Sequence, residues 1–236
     1  MKRLSAFFKK IIAAVAIFSI ELLTVWIIFI GSIFMFFFVS REIFFSKDHN
    51  FDVNAFRLMD RLATPGLTNF MKTITFFASG QFIFVLSLII LIYFLFIKKH
   101  HWYSLKVPVV AIGSITLNVI LKKLFDRPRP LLPHLVEASG LSYPSGHAMI
   151  SFSFYGLLIF LAWQKIKLPW LKWLVCASLL LLIHLIGISR VYLHVHYASD
   201  VLAGFALGTV WLIISIFTLN RIESFSVNKL KKISEI

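Results

Sequence analysis

The chain has 236 residues, of which 59% are hydrophobic and only 14% charged, and its mean hydropathy is +0.89. A soluble globule of this length cannot hide that much apolar surface, so the composition reads as an integral membrane protein. The formal charge of +14 would otherwise invite nucleic acid as a partner. No soluble module is left to present a basic face, however, and the basic residues stand at the ends of apolar blocks, where they set topology and meet phospholipid headgroups.

Those blocks run to about 17–29 residues, near or above the ~20 that a bilayer-spanning helix needs. The first, residues 11–39, follows Lys2, Arg3, Lys9 and Lys10. With no short apolar region ending in a small-residue cleavage site, it is read as a retained anchor. Glu21 lies inside it: either the span begins after Glu21, or the carboxyl is buried and neutral or paired. In the polar stretch 40–72, Phe51, Val53, Phe56, Met59 and Leu62 recur at helical spacing. This predicts a short interfacial helix ended by Thr64-Pro65-Gly66, a surface element without catalytic duty.

Further spans are predicted over 73–97, 103–121, 147–163, 169–188 and 201–219. The expected fold is an all-α membrane protein, a single domain over 1–236, with six transmembrane helices and the short interfacial helix between the first and second. Six spans bring both termini to one side. That side collects fourteen of the 24 Lys and Arg residues, which makes it cytoplasmic and turns the loops after the third and fifth spans outward. Cys176 stands alone in an apolar block, so it forms no intramolecular disulfide and is read as a packing residue.

The two outward loops hold almost every unusual polar residue. The first opens with Lys122, Lys123, Asp126, Arg127, Pro128, Arg129 and Pro130 and closes with Ser142-Tyr143-Pro144-Ser145-Gly146-His147; the second runs from Ser189-Arg190 through His194 and His196 to Asp200. The set suits a phosphoryl group. Lys122, Arg129 and Arg190 would neutralise its charge, the arginines with bidentate geometry. Pro144-Ser145-Gly146 opens a helix, so the N–H groups of Gly146 and His147 and the Ser145 hydroxyl would face a bound anion, and Gly146 has no Cβ to block close approach. Asp200, four residues after His196, can hold one imidazole nitrogen so that the other presents its lone pair as a nucleophile. His147 is then free to protonate the departing alkoxide. Two histidines on opposite sides of one phosphate give a two-step displacement through a covalent phosphohistidine.

Lys-x6-Arg-Pro at Lys122, Arg129 and Pro130, Pro-Ser-Gly-His over 144–147, and Ser-Arg-x5-His-x3-Asp at Ser189, Arg190, His196 and Asp200 resemble the three-part signature of the type 2 phosphatidic acid phosphatase superfamily. The signature region covers 122–200. The resemblance implies a six-helix membrane enzyme with its active site near the outer surface, requiring no metal and no cofactor. It implies His196 as nucleophile, Asp200 as its orienter and His147 as general acid, with Lys122, Arg129, Ser145, Gly146 and Arg190 as phosphate ligands. The implied partners are membrane lipids and a lipid phosphomonoester or diphosphate substrate, such as undecaprenyl diphosphate, phosphatidylglycerophosphate or phosphatidate.

Two other readings compete. A lipid phosphotransferase would use the same phosphohistidine. An anionic-lipid transporter is disfavoured because the special residues cluster at one face and no inverted pair of interrupted helices is evident. Lys123, Asp126 and Arg127 have no signature role and are read as headgroup contacts or local ion pairs. His194 and His196 form a poor metal pair, since a site needs further ligands and the nearby carboxylates are few: Asp126, Glu137 and Asp200. His184 is read as a hydrogen-bonded packing residue, and Gly204 and Gly208 as permitting close helix packing.

Overall fold

The structure, a computed structural model, describes residues 2–47 and 49–234, with side chains described over 20–47 and 49–228. Eight α-helices follow one another among the described residues: α1 (Lys2–Arg41), α2 (Asn50–Arg61), α3 (Pro65–Phe76), α4 (Gly80–Ile92), α5 (His101–Phe125), α6 (Gly146–Lys165), α7 (Pro169–Tyr192) and α8 (Ala198–Ser234). Both α1 and α4 continue into π-helical turns, Glu42–Ser46 and Tyr93–Ile97. Among the described residues, six stretches are long and apolar enough to cross a bilayer: Ile20–Ser46, Gly80–Ile97, His101–Phe125, Gly146–Lys165, Pro169–Tyr192 and Ala198–Asn228. The predicted six-span, all-α architecture is therefore the observed one.

The second span begins later than expected. The apolar run from residue 73 continues without a hydropathy break into α4, but the chain turns at Ala78, where Ser79 caps α4 by accepting the Phe82 N–H at 3.3 Å. The preceding segment is a separate short helix, α3. Thr64-Pro65 does end α2, as predicted, but it also starts α3: the Thr64 hydroxyl accepts the Leu67 N–H at 3.2 Å and Pro65 takes the first helical position, where its missing N–H costs nothing. Glu21 is exposed on the outer face of α1 rather than buried. The side chains of Lys2, Arg3, Lys9, Lys10, Lys229, Lys231 and Lys232, which the orientation argument counts, lie outside the described residues.

Helix α6 is the centre of the bundle, packed by α5, α7 and α8. Its Phe154 and Leu157 are fully buried with Val107 and Val110 of α5 and Ile183 and Ile186 of α7. The outer faces of α1 and α4 keep Ile27, Phe34, Phe37, Phe84 and Ile89 exposed, as lipid-facing helices require. Gly204 and Gly208 let α8 lie against α6, as their spacing predicts. A Cβ on Gly204 would stand 2.7 Å from the Ser145 carbonyl oxygen, and one on Gly208 would stand 2.6 Å from that of Met149. Backbone cannot yield as a side-chain tip can. Gly204→Ala is therefore expected to lower stability by about 1–3 kcal/mol, the usual range for overpacking, and to shift Ser145; a thermal melt of the purified variant checks it. Cys176 is buried, consistent with packing, whereas His184 is exposed on α7, its Nδ1 bonded to the Leu180 carbonyl at 2.8 Å.

Alternation of the spans gathers the C-terminal ends of α5 and α7 and the N-terminal ends of α6 and α8 at one end of the bundle. Helices α2 and α3 close over that end. Phe56 of α2 packs with Ala148, Val191 and Val201, and Met71 of α3 packs with Tyr192, Leu193 and Val195. The Tyr192 hydroxyl bonds Thr68 Oγ1 at 2.9 Å, fastening α3 to the last turn of α7.

Candidate active site

The loop between α5 and α6 is held by backbone bonds to its surroundings. Ser142 N–H donates to the Arg127 carbonyl at 2.8 Å, Leu135 N–H to Leu193 at 3.1 Å, and Ser145 N–H to Asp200 at 3.0 Å. The last of these laces the start of α6 to the start of α8. Tyr143 is fully buried among Phe36, Phe44 and Phe125, and its hydroxyl shares a 2.6 Å bond with Ser40. Burial pushes its phenol well above the ordinary value, with Ser40 opposing.

Two sequence-distant histidines come to this end. His196 is buried in the turn between α7 and α8, and its Nδ1 faces the Asp200 carboxylate at 3.4 Å and the Ser142 hydroxyl at 3.2 Å. Ser142 also donates a short hydrogen bond to the same carboxylate oxygen. On the other side of the ring, Nε2 lies 3.3 Å from an Arg129 nitrogen. Guanidinium has no acceptor, so Nε2 must be the unprotonated nitrogen and Nδ1 the one that carries hydrogen toward Asp200. His147 stands half-buried on the first turn of α6, within electrostatic reach of Arg190, His196, Arg129 and Lys122.

Burial pushes the His196 imidazole down to about 3 from its ordinary 6.5; Arg190 and Arg129 add to this, and Asp200 opposes it. Because the folded value is depressed, the unfolded chain takes up the proton first. The stability tied to neutral His196 is complete above about 6.5 and is lost as pH falls from there toward 3. Wild type is therefore expected to lose more stability than His196→Asn between pH 7 and 5, measured by denaturation of both at each pH.

The three predicted phosphate cations surround this pair. Lys122 Nζ donates to the carbonyls of Leu141 and Ser142, the second at 3.3 Å. Arg129 is spent mostly on backbone: Nε on Gly140 at 3.1 Å, one terminal nitrogen on Ser139 at 2.9 Å and the other on Val195 at 2.6 Å. It thereby clamps the α5–α6 loop onto the His196 turn, and burial holds its pKa below the ordinary value against the opposing Asp200 charge. Arg190 is buried and donates to Thr75 Oγ1 of α3 at 2.6 Å, while its buried Nε has no partner among the described residues. None of the three forms an ion pair with a carboxylate among the described residues. Three neighbouring cations, none in an ion pair, are an anion site in electrostatic terms.

Ser145 and Gly146 also lie here, with duties the sequence did not show. The Ser145 hydroxyl caps α6, 3.5 Å from the Ala148 N–H. The space of a Gly146 Cβ is taken by Asn118 Oδ1, 2.9 Å away, and Asn118 Nδ2 donates to the Pro144 carbonyl at 3.2 Å. The Gly146 and His147 N–H groups belong to the first helical turn, which lacks intrahelical acceptors.

Of the two roles expected for Arg127, the structure has the ion pair and not the headgroup contact. Arg127 is buried, its guanidinium reaching Asp200 at 2.5 Å, Asp52 of α2 at 3.0 Å and Ser199 at 2.9 Å, and it lies 3.9 Å over the Tyr197 ring. Asp52 in turn accepts the Ser199 N–H at 2.8 Å and hydroxyl at 2.7 Å. The α2 helix, expected to be a plain surface element, thus supplies a buried carboxylate two steps from His196. A helical wheel carries the signal for it: Asp52 precedes Phe56 by four residues and Met59 by seven, on the inward face. Lys123 and Asp126 remain exposed at the end of α5. His194 turns away from His196, bonding Asp60 at 2.9 Å and the Pro133 carbonyl at 3.2 Å.

Fold and site define a multi-pass membrane protein with three cations and two histidines gathered at one end of its bundle. Residues 103–223 match the family model of the PAP2 superfamily, and the chain belongs to that superfamily. It is 36% identical over 147 residues to the phosphatidylglycerophosphatase B of Bacillus subtilis, covering 61% of this chain and 71% of that protein. It is 28% identical over 167 residues to the putative undecaprenyl-diphosphatase YbjG of Escherichia coli, covering 68% and 79%. The crystal structure of a transmembrane PAP2-type phosphatidylglycerolphosphate phosphatase from Bacillus subtilis superposes with a TM-score of 0.75 at 28% identity, over 83% of this chain and 98% of that one. The protein is a membrane phosphatase of the PAP2 lipid phosphatase family.

Proposed function

We propose that the chain hydrolyses a lipid phosphomonoester or diphosphate at the outer membrane face through a phosphohistidine on His196. The observation that carries this is the grouping of Lys122, Arg129 and Arg190, without ion-paired carboxylates among the described residues, about an imidazole whose Nε2 faces Arg129 at 3.3 Å. Phosphate oxygens take the three cations and the first-turn N–H groups of α6. Nε2 attacks phosphorus and the ester or anhydride P–O bond breaks. The departing oxygen takes a proton from His147, whose protonated form the phosphate charge favours. His147 then accepts a proton from water, the water oxygen attacks phosphorus, and the P–N bond breaks to release inorganic phosphate. Asp200 holds Nδ1–H throughout and stabilises the imidazolium character that grows as Nε2 bonds.

Charge supports this face. The end of the bundle opposite the site carries Lys98, Lys99, Lys165, Lys167 and Lys172 in short loops or beside them, the pattern of a cytoplasmic side. Lys106 and Glu223, also at that end, neutralise one another at 3.1 Å and drop out of the count. The substrate would approach sideways with its tails in the bilayer. Relatives named for phosphatidylglycerophosphate and for undecaprenyl diphosphate support both lipid classes.

The test is to purify the protein in detergent and offer phosphatidylglycerophosphate, phosphatidate and prenyl diphosphates with and without EDTA. Release of inorganic phosphate, unchanged by chelator, is expected, because an ammonium and two guanidiniums around the pocket repel a divalent cation. Loss with EDTA and recovery with a divalent ion would overturn the mechanism.

A further inference from the structure

At the end of the bundle opposite His147 and His196, a cleft of about 620 Å³ opens where α4, α5 and α6 meet. Its wall includes Tyr93 and Phe94 of the π-helical turn Tyr93–Ile97, in which the Lys98 N–H reaches back to the Tyr93 carbonyl at 3.0 Å. Such one-residue widenings occur often at functional positions. The floor is apolar, with Ile90, Phe94, Leu158 and Leu161. The rim is cationic and aromatic. Lys165 Nζ sits 4.3 Å from the Tyr103 ring and Lys98 Nζ 5.9 Å from the Tyr93 ring. The His100 ring stacks on Tyr103 at 3.8 Å, and its buried Nδ1 has no partner among the described residues.

The charges at this rim are unbalanced. Glu223, a nearby acid, is already paired with the buried Lys106. Lys98 and Lys165 form no ion pair with a carboxylate among the described residues. Two exposed ammonium groups without a carboxylate partner, above an apolar trough, match a phosphate joined to a hydrocarbon chain.

We propose that this cleft binds an anionic glycerophospholipid of the leaflet opposite the catalytic end, with the headgroup phosphate on Lys98 and Lys165 and an acyl chain over Phe94 and Leu161. The site is separate from the phosphatase chemistry, because a phosphodiester lipid such as phosphatidylglycerol offers no phosphomonoester to hydrolyse.

The experiment uses the full chain in detergent and reads melting temperature with added phosphatidylglycerol, phosphatidylcholine or inorganic phosphate. It compares wild type, the double variant Lys98→Gln/Lys165→Gln, and Lys123→Gln, which removes an exposed lysine at the other end. Both replaced lysines of the double variant are exposed, so it is expected to fold. Phosphatidylglycerol should raise the melting temperature of wild type and Lys123→Gln alike. The double variant should keep less than half of that rise, and phosphatidylcholine should give little. A full phosphatidylglycerol shift in the double variant, or an equal shift with phosphatidylcholine, overturns the proposal. If the double variant instead loses a shift caused by inorganic phosphate, the ligand is free phosphate and the lipid assignment fails.

Discussion

Replacing His196 by Ala is expected to lower phosphate release by on the order of 10³-fold or more while the protein still inserts and folds. The two outcomes separate because of how Asp200 is satisfied. Its carboxylate keeps Arg127 at 2.5 Å, the Tyr197 N–H at 3.0 Å and the Ser142 hydroxyl when the imidazole is gone. No buried charge is orphaned, so the fold survives the loss of the nucleophile. Rates of phosphate release set beside melting curves of the same preparation check this. A variant that turns over normally shows that the nucleophile lies elsewhere.

Arg127→Met is expected to do the opposite and damage stability first. Arg127 neutralises both Asp52 and Asp200, and all three side chains are at most 7% exposed. Removing the cation leaves two buried carboxylates facing each other across Ser199, and breaking a buried pair in this way costs about 3–5 kcal/mol. Arg127→Lys restores charge but not the fork that reaches two carboxylates, so it is expected to recover stability in part and to leave kcat low, because Asp200 no longer holds His196 in place. Asp52→Asn keeps the Arg127–Asp200 contact and should be the mildest of the three. Denaturation midpoints and kcat/KM for the three variants distinguish a positioning role from a surface one. If Arg127→Met behaves like an exposed substitution, within about 0.5 kcal/mol of wild type, the network has no energetic weight.

The six spans were legible because each is an apolar run long enough to cross a bilayer, and hydropathy reports length directly. The break between α3 and α4 was not. Residues 73–97 read as one run, while Ser79, a polar residue within it, caps a new helix that no averaged hydropathy registers. The signature positions of the site were legible because phosphate chemistry restricts residue types at fixed spacings. Arg127 was hidden in the same loop as Arg129: two arginines separated by one proline carry identical charge, and only the fold sends one toward Asp52 and the other toward His196. Asn118 and Thr75 were beyond reach, since a hydroxyl or amide in an apolar run is ordinary until its partner is known. For Gly204, by contrast, the four-residue spacing with Gly208 was enough to predict close packing.

The central claim is that His196 and His147 work on one phosphorus through a bond to His196. Rapid acid-free quenching of the enzyme with a lipid substrate labelled in its terminal phosphate, followed by peptide mapping, tests that claim. The account predicts transient, acid-labile label on His196, absent in His196→Ala. Turnover with no label on the protein at any time, or label on a residue other than His196, would contradict it.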